Sequence, residues 1–149
     1  MMDIYNRFTG KAIGTFPIEP MANLSCANLS RANLFGDDLE ETNLSRANLF
    51  GAILRGANLA NIKMWDTVGD GVYIKSAQLG GYSIAYTSDR LQIGCENHTI
   101  GEWWAFDDDE IDAMDEDALD WWRVWKPILQ QIIEVSPAKK HAGHKERQA

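Results

Sequence analysis

The chain has 149 residues, 45% hydrophobic and 24% charged, with a net charge of −8. That is room for one ordinary domain or two small ones at near-average globular composition. No apolar run approaches the roughly 20 residues of a membrane-spanning helix, and Met1-Met2-Asp3-Ile4-Tyr5 has neither the basic flank nor the apolar stretch of a secretory signal. Cys26 and Cys95 lie in different segments and suggest no disulfide framework, so a reducing cytoplasm is the expected compartment. Charge is unevenly spread. Residues 102–120 carry ten acids and no base, whereas the tail after Pro137 has Lys139, Lys140, Lys145 and Arg147 against Glu146. So acidic a chain is not expected to bind nucleic acid directly, because phosphates need Lys and Arg to neutralise them.

Residues 1–21 read as an N-terminal cap. Ile4-Tyr5-Asn6 and Ala12-Ile13-Gly14-Thr15-Phe16 flank a turn at Thr9-Gly10-Lys11, the pattern of a β-hairpin. Pro17 and Pro20 punctuate the segment between this hairpin and Ala22.

From Ala22 a strict period of five takes over. Leu24, Leu29, Leu34, Leu39, Leu44, Leu49, Leu54 and Leu59 recur without a miss. Two positions before each stand Ala22, Ala27, Ala32, Asp37, Thr42, Ala47, Ala52 and Ala57, usually with Asn between. Ile62-Lys63-Met64 is a degenerate ninth unit. Steps of five scatter side chains around an α-helix and alternate them across a flat strand. If the chain turns a corner after each unit, the small residue and the Leu both point inward, and stacked coils bury what one unit cannot.

Residues 22–61 resemble the pentapeptide-repeat family, whose motif is A-(N/D)-L-X-X. The resemblance implies a right-handed quadrilateral β-helix of four units per coil, about two coils over residues 22–66. So short a stack needs caps at both ends. Asp37 departs from the motif, since a carboxylate at an inward position is costly unless hydrogen-bonded or tilted out. Phe35 and Phe50 take outward positions, either packed under a flanking segment or exposed as a contact site.

Residues 67–136 read as a C-terminal α+β domain, making the chain mainly β with C-terminal helices. The period is expected to end after Asp66, with a short strand at Val72-Tyr73-Ile74. Tyr82–Thr87 and Arg90–Ile93 follow as alternating strands. Thr99-Ile100-Gly101-Glu102 spells a capping box for a helix through Trp103 and Trp104. Asp107 or Asp108 caps the next turns, Asp115 opens the last helix, and Pro127 is expected to kink or restart it. Residues 137–149 read as a disordered basic tail. The stretch from Leu91 to Lys126 is similar to C-terminal segments of pentapeptide-repeat proteins of phages and bacteria, a likeness that carries over no activity.

Cys95 and His98 form a C-x-x-H pair, but a structural zinc site needs four ligands and Cys26, His141 and His144 stand at no recognisable spacing. No metal or cofactor is expected. No nucleophile elbow, phosphate-cradling glycine loop or H-E-x-x-H occurs, so no catalytic residue is assigned and an enzyme is not expected. The candidate binding residues are Trp103, Trp104, Trp121, Trp122 and Trp125, the acids Asp107, Asp108, Asp109 and Glu110, and Phe35 and Phe50. Adjacent tryptophans on a helix diverge by about 100°, which makes burying both in one small core difficult; core packing docked onto the end of the repeat and an exposed partner surface both stay open.

Three functions fit. The leading one is an interaction protein whose Trp-rich acidic part binds a protein partner or a second copy of itself. A DNA mimic acting on an enzyme such as gyrase is the second, although residues 22–66 carry five acids and four bases and build no long acidic rod. The third is a counter-defence protein that sequesters a nucleotide signal in a pocket between the repeat and the tryptophan-lined helices.

Overall fold

The computed structural model describes residues 1–145. The chain is mainly β, with its helices confined to the C-terminal part. Strand β1 (Met2–Tyr5) pairs antiparallel with β2 (Ala12–Phe16), the hairpin expected from the alternating pattern. The hairpin is tied to the repeat. Asn6 bridges Ala32, the Asn33 N–H donates to the Tyr5 carbonyl, and the Arg7 N–H donates to the Arg31 carbonyl. Ile4, 2% exposed, joins the repeat leucines in one core.

Between residues 22 and 68 the backbone follows one rule. Parallel bridges join residues twenty apart: Asn23 to Asn43, Asn28 to Asn48, Asn33 to Ile53, Asp38 to Asn58, Asn43 to Lys63 and Asn48 to Val68. Twenty residues are four units of the motif, so equivalent positions lie one above another. All eight repeat leucines are at most 2% exposed. The period outlasts Asp66, contrary to expectation. Thr67 takes the small inward position, its hydroxyl donating to the Leu44 carbonyl at 2.6 Å, and Val68 is still bridged.

The motif's residue types follow from the corners. Every fifth residue from Met21 to Gly71 has a positive φ, between 54° and 82°. At the corners from Cys26 to Gly56 a Leu carbonyl accepts from the N–H three residues on, as Leu24 does from Ala27 and Leu44 from Ala47. A positive φ at the third position of such a turn is the type II signature. Asn before the Leu stabilises the corner through its side chain, whose Oδ1 accepts from the N–H two residues on; Asn23 to Ser25 and Asn48 to Phe50 are examples. Asp37 is only partly buried, and burial raises its carboxyl pKa.

At the far end, N–H and C=O groups that would lack a next coil must find other partners. The Gln92 Oε1 accepts from the Met64 N–H at 2.6 Å. The His141 Nδ1 accepts from the Leu59 N–H at 3.3 Å, and the Asn97 Nδ2 donates to the Ile62 carbonyl at 2.9 Å. The Ala142 N–H reaches the Ala57 carbonyl.

The C-terminal part opens with an antiparallel sheet in sequential order: β3 (Lys75–Leu79), β4 (Tyr82–Tyr86), β5 (Arg90–Ile93) and β6 (Glu96–Thr99). The first strand lies after Val72-Tyr73-Ile74, because the Asp70 Oδ1 accepts from the N–H groups of all three and holds them in a bend. Helix α1 (Ile100–Ala105) starts at the expected capping box. Helix α2 (Asp108–Asp112) has Asp107 and Glu110 in a second box. Helix α3 (Ala118–Val135) begins at Ala118 rather than Asp115 and runs unbroken through Pro127. The tail is not disordered between residues 137 and 145. Ala138 and His141 are buried, and the Lys139 N–H donates to the Val72 carbonyl. A polar, basic composition gives no sign of this, because what holds His141 is its fit to the Leu59 N–H of the repeat and to the Asp89 carboxylate. Residues 146–149, the rest of that expected tail, lie outside the described residues. Among the described residues no helix is long and apolar enough to cross a membrane.

Candidate binding cavity

The tryptophans do not form an exposed patch. Trp103 is 2%, Trp122 3% and Trp121 9% exposed, and Trp104 and Trp125 are half-buried. The adjacent pair Trp121 and Trp122 is buried after all, because the two rings enter different surroundings. Trp121 points at the turn between β3 and β4, where its indole N–H donates to the Leu79 carbonyl at 2.7 Å and the Tyr82 ring meets it edge-on. Gly80 sits in that turn with φ +56°, and a Cβ there would come within 2.8 Å of the Trp125 Nε1. Trp122 instead faces Trp103, ring centroids 5.4 Å apart, and stacks on Trp104. The Trp103 indole N–H donates to the Leu91 carbonyl at 2.6 Å. The indole nitrogens of Trp103 and Trp121 are thus paired, as low-dielectric surroundings require.

Three of these rings wall a cavity of about 310 Å³, at the small end of ligand-sized pockets. Trp103, Trp121 and Trp122 line it together with Tyr82 and, from the repeat segment, Trp65; Ile93, Ile111 and Met114 supply aliphatic surface. The remaining chemistry is acidic or thiol. Glu96 and Asp115 line the space, as does the exposed, free Cys95. The Tyr82 hydroxyl donates to the Asp115 carboxylate. That bond, with smaller contributions from burial and nearby charges, pushes the Tyr82 pKa up to about 12. In return it lowers the Asp115 pKa, helped by the Glu116 and Asp117 backbone.

The other candidate residues lie elsewhere. Asp107, Asp108, Asp109 and Glu110 are exposed and serve the start of α2; Asp108 also pairs with Arg123 at 3.1 Å. Phe35 and Phe50 are 61% and 60% exposed, so no flanking segment among the described residues covers them. Phe8, at the hairpin turn, is 69% exposed. Glu96 and Tyr82 escaped sequence reasoning as site residues because one sits in a wholly polar strand and the other read as ordinary strand alternation.

Cys95 is exposed. The His98 ring packs edge-on against Trp103 and Phe106, its Nε2 is buried with no hydrogen-bond partner among the described residues, and Glu96 Oε2 is 4.0 Å away. Among the described residues the group with metal-compatible spacing is Asp89, His141 and His144 instead. Its hydrogen bonds oppose a metal. The His141 Nδ1 accepts from the Leu59 and Gly143 N–H groups, so the ring proton belongs on Nε2, where it donates to Asp89 Oδ1 at 3.1 Å. A ligating nitrogen must be free of its proton. This constellation pins the tail.

A family model for pentapeptide repeats matches residues 27–66, in eight copies. Residues 27–66 are pentapeptide repeats. The match starts one unit later than the leucine pattern and takes in Ile62-Lys63-Met64-Trp65-Asp66 as a full copy. Trp65, the ring that the repeat contributes to the cavity, therefore belongs to the last pentapeptide. No curated protein and no solved structure matches the chain.

Proposed function

We propose that this chain is a non-enzymatic binding protein in which pentapeptide repeats, wound as a right-handed quadrilateral β-helix of about two coils, hold a Trp-lined cavity that takes a small ligand. The observation that carries the reading is the cavity itself. Five aromatic rings and three aliphatic side chains surround about 310 Å³ where the last pentapeptide meets α2 and α3. Concave, mostly apolar space with a few polar groups is the common form of a ligand site. Among the described residues lining the cavity, none beside Cys95 or the carboxylates supplies the orienting group and anion-stabilising donors of a nucleophilic site. A nucleotide fits poorly, because Glu96 and Asp115 are the charged lining residues and repel phosphate.

The test is a fragment screen by ligand-detected NMR against the full chain and against Ala118→Phe, which adds a ring at the cavity wall. Saturable binding of apolar or aromatic fragments, lost in Ala118→Phe while the fold is kept, is the expected result. Fragments that bind both proteins equally, or none at all, would contradict the reading.

A second reading rests on a different observation. Phe8, Phe35 and Phe50 are all more than half exposed, and bulky exposed aromatics on a rigid support suit a protein partner or a second copy of the chain. Sedimentation of the wild type and of Phe35→Ser/Phe50→Ser distinguishes self-association through these rings from a monomer.

A further inference from the structure

We infer that the cavity's ligand is an organic cation with an apolar body: an amine or quaternary ammonium group carried on an aromatic or hydrocarbon skeleton. This rests on the reading of the cavity as a ligand site and adds the charge of the occupant. The rings of Trp65, Tyr82, Trp103, Trp121 and Trp122 line one space, and the faces of such rings carry negative potential that attracts cations. The charged side chains among the lining residues are both acids, Glu96 and Asp115. Asp115 is exposed and accepts the Tyr82 hydroxyl, an arrangement that keeps it ionised.

The alternatives are poorer fits. A neutral hydrocarbon entering the cavity strips water from two carboxylates and gives nothing back. An anion meets both at short range without a base to offset them. Two bases do touch lining rings: Arg46 lies 4.7 Å from the Trp65 centroid and Lys126 lies 5.7 Å from that of Trp122. Neither is itself part of the lining. They show that these indoles already act as cation platforms. His98, beside Glu96, competes for that carboxylate only when protonated.

The test is a calorimetric titration of the full chain at about pH 8, where imidazoles are largely neutral, with three probes. Benzyltrimethylammonium is the cation, neopentylbenzene its neutral carbon isostere, and 3-phenylpropanoate an anion of similar size. The cation should bind at least about tenfold more tightly than the isostere, a factor that cation–π and charge contacts in a partly desolvated site readily supply, and the anion should not bind. Glu96→Gln/Asp115→Asn should erase most of that preference. Both positions are at least partly exposed, and the amide oxygen introduced at position 115 can still accept the Tyr82 hydroxyl, so the fold is expected to persist and is checked by circular dichroism. An isostere that binds as tightly as the cation overturns the inference and leaves the cavity reading standing. A preference for the cation that survives the double substitution overturns the part given to Glu96 and Asp115 and assigns the recognition to the rings alone. Failure of all three probes overturns both.

Discussion

The repeat segment and the C-terminal part solve the same problem, burial of apolar side chains, in opposite ways. In the repeat one corner geometry is reused: a positive φ every fifth residue, an Asn or Asp oxygen closing many of the turns, and Leu stacked at a spacing of twenty. Its interior is aliphatic and repetitive. The C-terminal part uses each contact once. Indole N–H groups reach particular carbonyls, Gln92 and Asn97 reach back to the repeat, and His141 locks the tail. Periodic packing fills its interior by construction. Irregular packing of large rings leaves space, and the cavity lies where the two meet at Trp65.

If the repeat is a shared scaffold, damage to it should unfold everything. Leu44→Ala, at a fully buried position, is expected to cost roughly 3 kcal/mol, with far-UV circular dichroism and Trp fluorescence falling in one denaturant transition. Separate transitions would mean that the two regions fold independently. A milder cut severs the joint between them. Gln92→Leu strands the Met64 N–H and should cost about 1–3 kcal/mol, with faster hydrogen exchange at Met64.

Acid provides a third probe of the same joint. Burial raises the Asp89 pKa, but the His141 ring, the Lys145 N–H and the Thr87 hydroxyl outweigh it and bring it from 3.8 to about 2. A carboxyl depressed on folding stabilises above its unfolded pKa and loses that contribution as pH falls through the folded value. Stability should therefore drop between about pH 4 and pH 2, and Asp89→Asn should flatten that part of the pH–stability curve. The smallest effect belongs to Asp37, whose pKa burial raises. Asp37→Ala should raise stability at neutral pH slightly, by about 0.5 kcal/mol or less, read as a small rise of the thermal midpoint. That gain should shrink in acid, where the wild-type carboxyl is itself neutral.

The inward leucines were legible because a period of five tolerates few geometries. The corners were less so. Met21, Cys26, Arg31, Glu41 and Arg46 all hold positive φ, and their identities give no sign of it. Strand β6 leaves no mark in the sequence because Glu96-Asn97-His98-Thr99 is polar throughout and shows no alternation. The tail was read from composition, which carries no record that His141 fits orphan N–H groups of residues 59 and 143. Helical geometry alone cannot decide between core and surface for the tryptophans, since Leu79-Gly80-Gly81, distant in sequence, receives Trp121. Asp115 was seen only as a helix start, and its role at the cavity depends on Tyr82 from another element.

The central claim is that the rings around one cavity act together as a ligand site. Side-chain indole N–H resonances report it directly during a titration with benzyltrimethylammonium. Intermolecular NOEs to Trp65, Trp103, Trp121 and Trp122 are expected, with weaker or absent ones to Trp104 and Trp125. NOEs confined to Trp104 and Trp125, or no NOE to any indole at saturating probe, would contradict it.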